Sequence, residues 1–232
     1  MAAAPAIIST ADLIKPPSDK EILMGYAPKD EVARRIEAFI QTHPLTRTLR
    51  SKPEITESRP HLKVPKVQRR NHFTGGVLMG PEKVVVPTIQ WSERGGKSLV
   101  SITYLGTDLC GQPGIIHSGV LATILDEGLA RCCFGALPNR VGMTANLEID
   151  YRSPATGGSF IVLRAHTTKV EGRKAWVEGS LETLVGQGEE PVTLAEASGL
   201  FIEPRQAAVC PFVMLSRPAS GLADRAFVLI GV

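Results

Sequence analysis

The sequence has no apolar run near the roughly 20 residues that a membrane-crossing helix needs, so we expect no transmembrane segment. A large excess of one charge is also missing, since the net charge is only +3. The basic residues do not gather around aromatic ones, and a nucleic-acid partner is therefore not indicated.

Cysteine is scarce, and no two of the four cysteines form a CxxC pair. Their spacing, with two of them adjacent, fits neither a disulfide framework nor a zinc site. The cysteines are Cys110, Cys132, Cys133 and Cys210. We interpret Cys132 and Cys133 as small buried side chains of one helix in a reducing compartment. The N-terminus lacks the basic region of a secretory signal, so a cytoplasmic location is expected. The absence of Arg there weakens a mitochondrial interpretation without excluding it.

With 232 residues, 43% hydrophobic and 21% charged, the chain has room for one well-buried domain plus an extension. We predict an N-terminal extension over residues 1–75, a main domain over 76–204 and a tail of unknown role over 205–232. The extension holds a short amphipathic helix at 29–41 and a basic, proline-rich segment at 44–72. The favoured interpretation of that segment is an exposed connector; the other is an arm that touches a phosphorylated ligand or a partner subunit.

The main domain shows two strand-like runs, one long apolar helix and four further strand-like runs. The predicted strands cover 84–91, 99–105, 143–152, 160–170, 175–184 and 192–203, and the helix covers 118–137. Short strands at hairpin spacing favour an antiparallel sheet, because parallel strands need long crossover connections. The predicted fold class is therefore α+β.

The predicted helix carries one unexplained carboxylate. Glu127 has Arg131 four residues on, the spacing of a helical ion pair, whereas Asp126 has no such partner. The carboxylate of Asp126 is expected on the side opposite Leu121, among small side chains (Ala122, Thr123, Ala130 and Cys133). A second body, either a substrate or another subunit, is expected to approach there. Two interpretations stay open from the residues alone: a catalytic carboxylate, or a buried Asp bonded to a neighbouring strand.

The start of the helix offers a second candidate site. Ser118 suits the N-cap position, and Gly119 would let a ligand approach the helix end closely. A single His at a helix start, here His117, is more often structural than a metal ligand, and no other ligand stands at metal spacing, so no metal is predicted. A serine-hydrolase triad is not indicated, because the sequence has no G-x-S-x-G elbow.

The run from His117 to Glu127 resembles the H-G-G-x-x-A-x-L-x-D-E signature of hotdog-fold thioesterases, above all the phenylacetate-pathway (PaaI-like) type. Segments 143–147, 170–174 and 194–202 resemble the same subgroup, so the likeness covers about residues 80–203. The resemblance implies a hotdog fold, with an antiparallel sheet wrapped around one long central helix. It also implies a dimer that joins two sheets edge to edge, with active sites at the interface.

The resemblance further implies roles for individual residues. Asp126 acts as general base or nucleophile, the backbone N–H groups of Ser118 and Gly119, just after His117, polarise the thioester carbonyl, and Thr144 helps to position water. Two positions depart from the family pattern. Ser118 replaces the first glycine of the usual pair, and Gly111 stands where some relatives have an oxyanion-binding Asn.

The expected function is hydrolysis of an acyl-CoA, or of an acyl-carrier thioester, to a free acid by a homodimer or tetramer without a cofactor. The alternatives are a non-catalytic hotdog module that binds an acyl thioester or a protein, and a hotdog hydratase or dehydratase. The basic turn that contains Lys169, Arg173 and Lys174 is predicted to contact the CoA phosphates.

Overall fold

A computed structural model describes residues 17–207, and a seven-stranded sheet forms the centre of this part of the chain. Its strands are β1 (Ile55–Ser58), β2 (Ile89–Glu93), β3 (Ser98–Leu105), β6 (Met143–Tyr151), β7 (Ser159–Glu171), β8 (Lys174–Thr183) and β9 (Thr193–Ile202). Their order is β1-β2-β3-β7-β8-β9-β6, and all six pairs are antiparallel. Strands β4 (Cys110–Gln112) and β5 (Ile115–Ile116) form a separate small ribbon.

Within the described residues, five α-helices accompany the sheet: α1 (Asp19–Gly25), α2 (Glu31–Thr42), α3 (Pro44–Arg50), α4 (Lys66–Arg69) and α5 (Ser118–Phe134). The longest, α5, packs on one face of the sheet through Leu121, Leu125 and Leu129, which are buried and recur every fourth residue. Gly128 permits the close approach, because a Cβ there would lie 2.2 Å from Leu163 Cδ2 of β7. None of the described helices has both the length and the apolar composition to cross a bilayer.

The opposite face of the sheet is covered at the β2–β3–β7 end by α2. Ile36 and Ile40 of this helix share a core with Ile102 and Val162, while Leu163, the next residue of β7, belongs to the core under α5. This alternation is the period of two that a strand imposes on its side chains. The predicted helix over 29–41 is thus confirmed, and its burial against β7 explains its apolar stripe.

The predicted exposed connector over 44–72 is wrong, because this segment forms α3, β1 and α4, and β1 extends the sheet beside β2. Its Arg59 is buried: the guanidinium pairs with Glu37, donates to the Pro87 carbonyl and lies 4.4 Å from the Tyr26 ring centroid. Proline-rich composition suggested an open chain, but the prolines here stand at helix starts and in the turn between α3 and β1.

Two element boundaries also differ from the prediction. The first predicted strand starts at Ile89 and not at residue 84, since Pro87 has no N–H with which to continue a strand ladder. Helix α5 ends at Phe134, with Gly135 as its C-cap, three residues before the predicted end. The predicted C-terminal tail lies outside the described residues apart from 205–207, as does Cys210.

The two adjacent cysteines are buried in the core under α5, as predicted. Burial raises the pKa of the Cys132 thiol to about 11 and that of Cys133 to about 12. Both are therefore protonated, unreactive core side chains at neutral pH.

Candidate functional site

The start of α5 is capped by His117 and not by Ser118, which corrects the prediction. The imidazole Nδ1 accepts a hydrogen bond of 2.9 Å from the Gly119 N–H. The ring fits between two glycines, because an added Cβ would lie 2.7 Å from His117 Cδ2 at Gly111 and 3.0 Å from Nδ1 at Gly119. The position where some thioesterases carry an Asn therefore has no room for a side chain while His117 holds this rotamer.

Capping leaves one backbone donor open at the helix start. The Gly119 N–H is taken by the His117 ring, and the Val120 N–H donates to the His117 carbonyl at 2.9 Å. The N–H of Ser118 meets no protein acceptor within residues 17–207, and Ser118 is exposed. A free N–H at the positive end of a 17-residue helix is a favourable place for an oxygen that gains negative charge.

The Asp126 carboxylate lies on the open side of α5, eight residues further along. Its Oδ1 accepts a 2.7 Å hydrogen bond from the hydroxyl of Thr144 on β6. Asp126 is therefore bonded to a neighbouring strand, as one sequence interpretation expected, but it is partly exposed and not buried. Of the small neighbours predicted around Asp126, Ala122 and Thr123 are partly exposed, whereas Ala130 and Cys133 are buried against the sheet.

The structure brings the predicted catalytic residues together in two groups and not in one. Asp126 and Thr144 form one group, and His117, Ser118 and Gly119 form the other. At a rise of 1.5 Å per residue, Gly119 and Asp126 lie roughly 10 Å apart along the helix axis. A thioester held by one group of this copy is therefore out of reach of the other group, because reaction needs contact at about 3 Å.

Strand β6, which carries Thr144, is one of the two edge strands of the sheet within residues 17–207, at the end opposite β1. Seven of its nine residues are exposed, and Met143 and Tyr151 at its two ends are large side chains about half exposed. A nine-residue edge with this exposure leaves a row of peptide groups open to another strand. The open edge thus lies beside the Asp126 carboxylate.

The neighbouring carboxylate, Glu127, belongs to a buried polar cluster that the sequence did not reveal. Its Oε2 contacts Nε2 of His61 at 2.9 Å, and its Oε1 accepts from Arg131 and from the Thr74 hydroxyl, each at 2.9 Å. Burial alone would raise the pKa of Glu127, but the His61 hydrogen bond and the charges of His61 and Arg131 lower it to about 2. The predicted helical pair exists, yet it is buried. His61 and Thr74 are 66 and 53 residues away in the chain, so no local pattern announced them.

The basic turn predicted to hold CoA is the β7–β8 hairpin. Lys169 pairs with Glu171 at 2.8 Å, and Arg173 donates to the Glu203 carbonyl at 2.6 Å, so both side chains have protein partners. Lys174 is exposed and stands in register with Ile202 of β9, which pairs in turn with Met143 of β6. Two strand spacings, roughly 10 Å, thus separate Lys174 from the residue next to Thr144.

No set of three or more His, Cys, Asp or Glu side chains among residues 17–207 is arranged to hold a metal ion.

Comparison with known proteins agrees with the motifs read from the sequence. Residues 113–187, which contain α5, β6, β7 and β8, match the family model of the thioesterase superfamily. The resemblance to the hotdog-fold thioesterase superfamily is thereby confirmed, and so is the fold class: a large antiparallel sheet with one central helix.

Two curated relatives and one solved structure illustrate the similarity. A Candida albicans protein named "Uncharacterized protein, mitochondrial" is 37% identical over 142 residues, 61% of this chain and 64% of its own. The acyl-coenzyme A thioesterase THEM4 of Mus musculus is 36% identical over 107 residues, 46% of this chain and 44% of its own. The chain thus spans less than two thirds of these relatives. The E. coli PaaI protein from the phenylacetic acid degradation operon matches with a TM-score of 0.41 at 16% identity, covering 48% of this chain and 75% of its own.

Proposed function

We propose that this protein hydrolyses acyl thioesters, with an acyl-CoA as substrate and a free acid and CoA as products. The observation that carries the proposal is the Asp126 carboxylate on the open side of α5, held by the Thr144 hydroxyl at 2.7 Å. The similarity to an acyl-coenzyme A thioesterase and to the thioesterase superfamily supports the same chemistry.

In the proposed reaction Asp126 acts as a general base. It accepts a proton from a water molecule whose oxygen forms the new bond to the thioester carbonyl carbon. The carbonyl oxygen gains negative charge and is stabilised by the Ser118 N–H and the positive end of α5. The carbon–sulfur bond then breaks, and the thiolate of CoA leaves with the proton that Asp126 took from water, which restores the carboxylate.

The site is proposed to be shared between two copies of the chain. The separation of roughly 10 Å between Gly119 and Asp126 keeps the two groups of one copy apart. In our proposal two β6 edges pair in a homodimer, and the helix start of one copy faces the Asp126 of the other. The exposed β6 edge and the partly exposed Ala122 and Thr123 beside Asp126 support this arrangement.

Two further predictions from the sequence remain proposals. Lys174, at the same end of the sheet as Thr144, is proposed to contact the CoA phosphates. For the location, the name of the Candida albicans relative supports a mitochondrial site over the cytoplasmic one expected from the sequence.

The direct test is thiol release by the purified protein from a panel of acyl-CoA and acyl-carrier thioesters. We expect release from at least one acyl-CoA, with rates proportional to protein concentration. If no member of the panel is hydrolysed but a thioester binds, the protein is a non-catalytic binding module, and the proposed chemistry is wrong.

A further inference from the structure

A small cavity of about 40 Å³ lies between α5 and strands β2 and β3. At 100° per residue, the helix positions that line it face nearly away from Asp126. The cavity thus reaches towards the start of this copy's helix at Val120 and away from its Asp126. Its wall begins at Val120 and Ile124, within two turns of Ser118, and ends at Glu127 and Arg131.

The wall that strands β2 and β3 contribute to the cavity is lined by polar side chains, although a protein core is normally apolar. Along β3, Leu99 and Leu105 pack in the core under α5, while Ser101 and Thr103 between them line the cavity and are only 5% and 3% exposed. Gln90 of β2 stands opposite Ser101 and lines the same cavity. Thr103 already bonds to Thr88 at 2.9 Å and Gln90 donates to Ser92 at 3.0 Å, so a ligand must find its hydrogen-bond partner elsewhere in the wall.

His61 lines this wall, and one of its ring nitrogens has no hydrogen-bond partner among the described residues. His61 contacts Glu127 through Nε2, and its Nδ1 is buried without a hydrogen bond to any described residue. Because the Glu127 carboxylate can only accept, Nε2 carries a proton. Nδ1 then presents either a lone pair or a second N–H. A hydroxyl group can donate to the first or accept from the second, whereas a methyl or methylene group can do neither.

We propose that this cavity is the acyl subsite of the thioesterase site and that it selects acyl groups with a hydroxyl far from the thioester. The inference rests on the proposed function. Glu127 lies nine positions after Ser118, which places the hydroxyl of the ligand roughly 13 Å from its thioester carbonyl along the helix. The cavity has room for about three water molecules, so it can hold the hydroxylated end of an acyl chain but excludes a bulky ring.

The test compares two acyl-CoAs of equal carbon number, one with a terminal hydroxyl and one without, over a series of chain lengths. Dissociation constants are measured calorimetrically on the full chain carrying Asp126→Asn, so that bound thioester is not consumed. At the best chain length we expect the hydroxylated compound to bind about tenfold tighter or more. Adding His61→Phe should erase that difference, whereas His166→Phe, the same change on the exposed side of β7, should leave it intact.

Equal dissociation constants for the two compounds at every chain length, or no binding of either, overturn the inference. If the His61→Phe protein does not fold, the comparison in the Asp126→Asn background decides alone. Thiol release by the wild type is followed separately. Selective binding without thiol release would contradict the proposed hydrolysis and leave the subsite assignment standing. Hydrolysis without selective binding would overturn the subsite assignment and leave the proposed hydrolysis standing.

Discussion

Thr144 and Asp126 join the edge strand β6 to the middle of α5, through a hydrogen bond of 2.7 Å from the hydroxyl to Oδ1. The second carboxylate oxygen, Oδ2, has no protein partner within residues 17–207. One oxygen is thus held in place while the other is open to receive a proton. This is the geometry that a general base requires, because the accepting atom must lie within hydrogen-bond reach of the water that it activates.

The free N–H of Ser118 is tested by replacing Ser118 with Pro. Proline removes the donor but suits the first position of a helix, and His117 before it already has the extended backbone that a following proline requires, with φ −61° and ψ 129°. We expect kcat to fall about a hundredfold with the helix intact. Ser118→Ala keeps the N–H and is expected to retain activity in the same thiol-release assay. Equal activity of both variants would remove this donor from the site.

A shared site predicts complementation between two inactive variants. Asp126→Asn and Ser118→Pro proteins, unfolded together and refolded as a mixture, should form mixed dimers with one intact site each. Random assortment predicts recovery of about a quarter of wild-type activity. If the carboxylate and the helix start of one chain served the same site, every site would stay broken and the mixture would be inactive.

The Glu127 cluster predicts a pH-dependent contribution to stability. The pKa of Glu127 falls from its ordinary value of 4.5 to about 2, so the cluster stabilises the fold above about pH 5 and loses that contribution as the pH falls towards 2. The difference corresponds to about 3 kcal/mol. Denaturant unfolding should show Glu127→Gln less stable than wild type by about this amount at pH 7, with the gap closing in acid. The exposed Glu190→Gln is the control, and an equal loss there would contradict the assignment.

Much of the architecture was predictable because its signals are local. The strand spacing and the apolar helix predicted the α+β class, and the run from His117 to Glu127 predicted the resemblance to hotdog-fold thioesterases. The roles of Glu127 and Arg59 were not predictable, because their partners His61 and Pro87 are distant in sequence and only the folded sheet brings them close. The capping role of His117 had a local signal, the glycines at 111 and 119, whose meaning became clear only with the position of the ring.

The proposed CoA contact predicts a change in binding without a change in chemistry. Lys174→Ala should raise KM for acyl-CoA severalfold and leave kcat nearly unchanged, as loss of an interaction made equally in ground and transition states does. Lys97→Ala removes an exposed lysine from the β2–β3 turn and should alter neither constant. Unchanged KM in Lys174→Ala would place the CoA phosphates elsewhere.

The most direct test of the account is kcat for Asp126→Asn. Asn has nearly the same shape and its Oδ1 can still accept from Thr144, so circular dichroism and oligomeric state should match the wild type. We predict that kcat for thiol release falls about a hundredfold or more, since Asn cannot take a proton from water. Asp108→Asn, the same change at an exposed position, should keep wild-type kcat. A correctly folded Asp126→Asn protein that retains full thioesterase activity would contradict the role of Asp126 as the catalytic base.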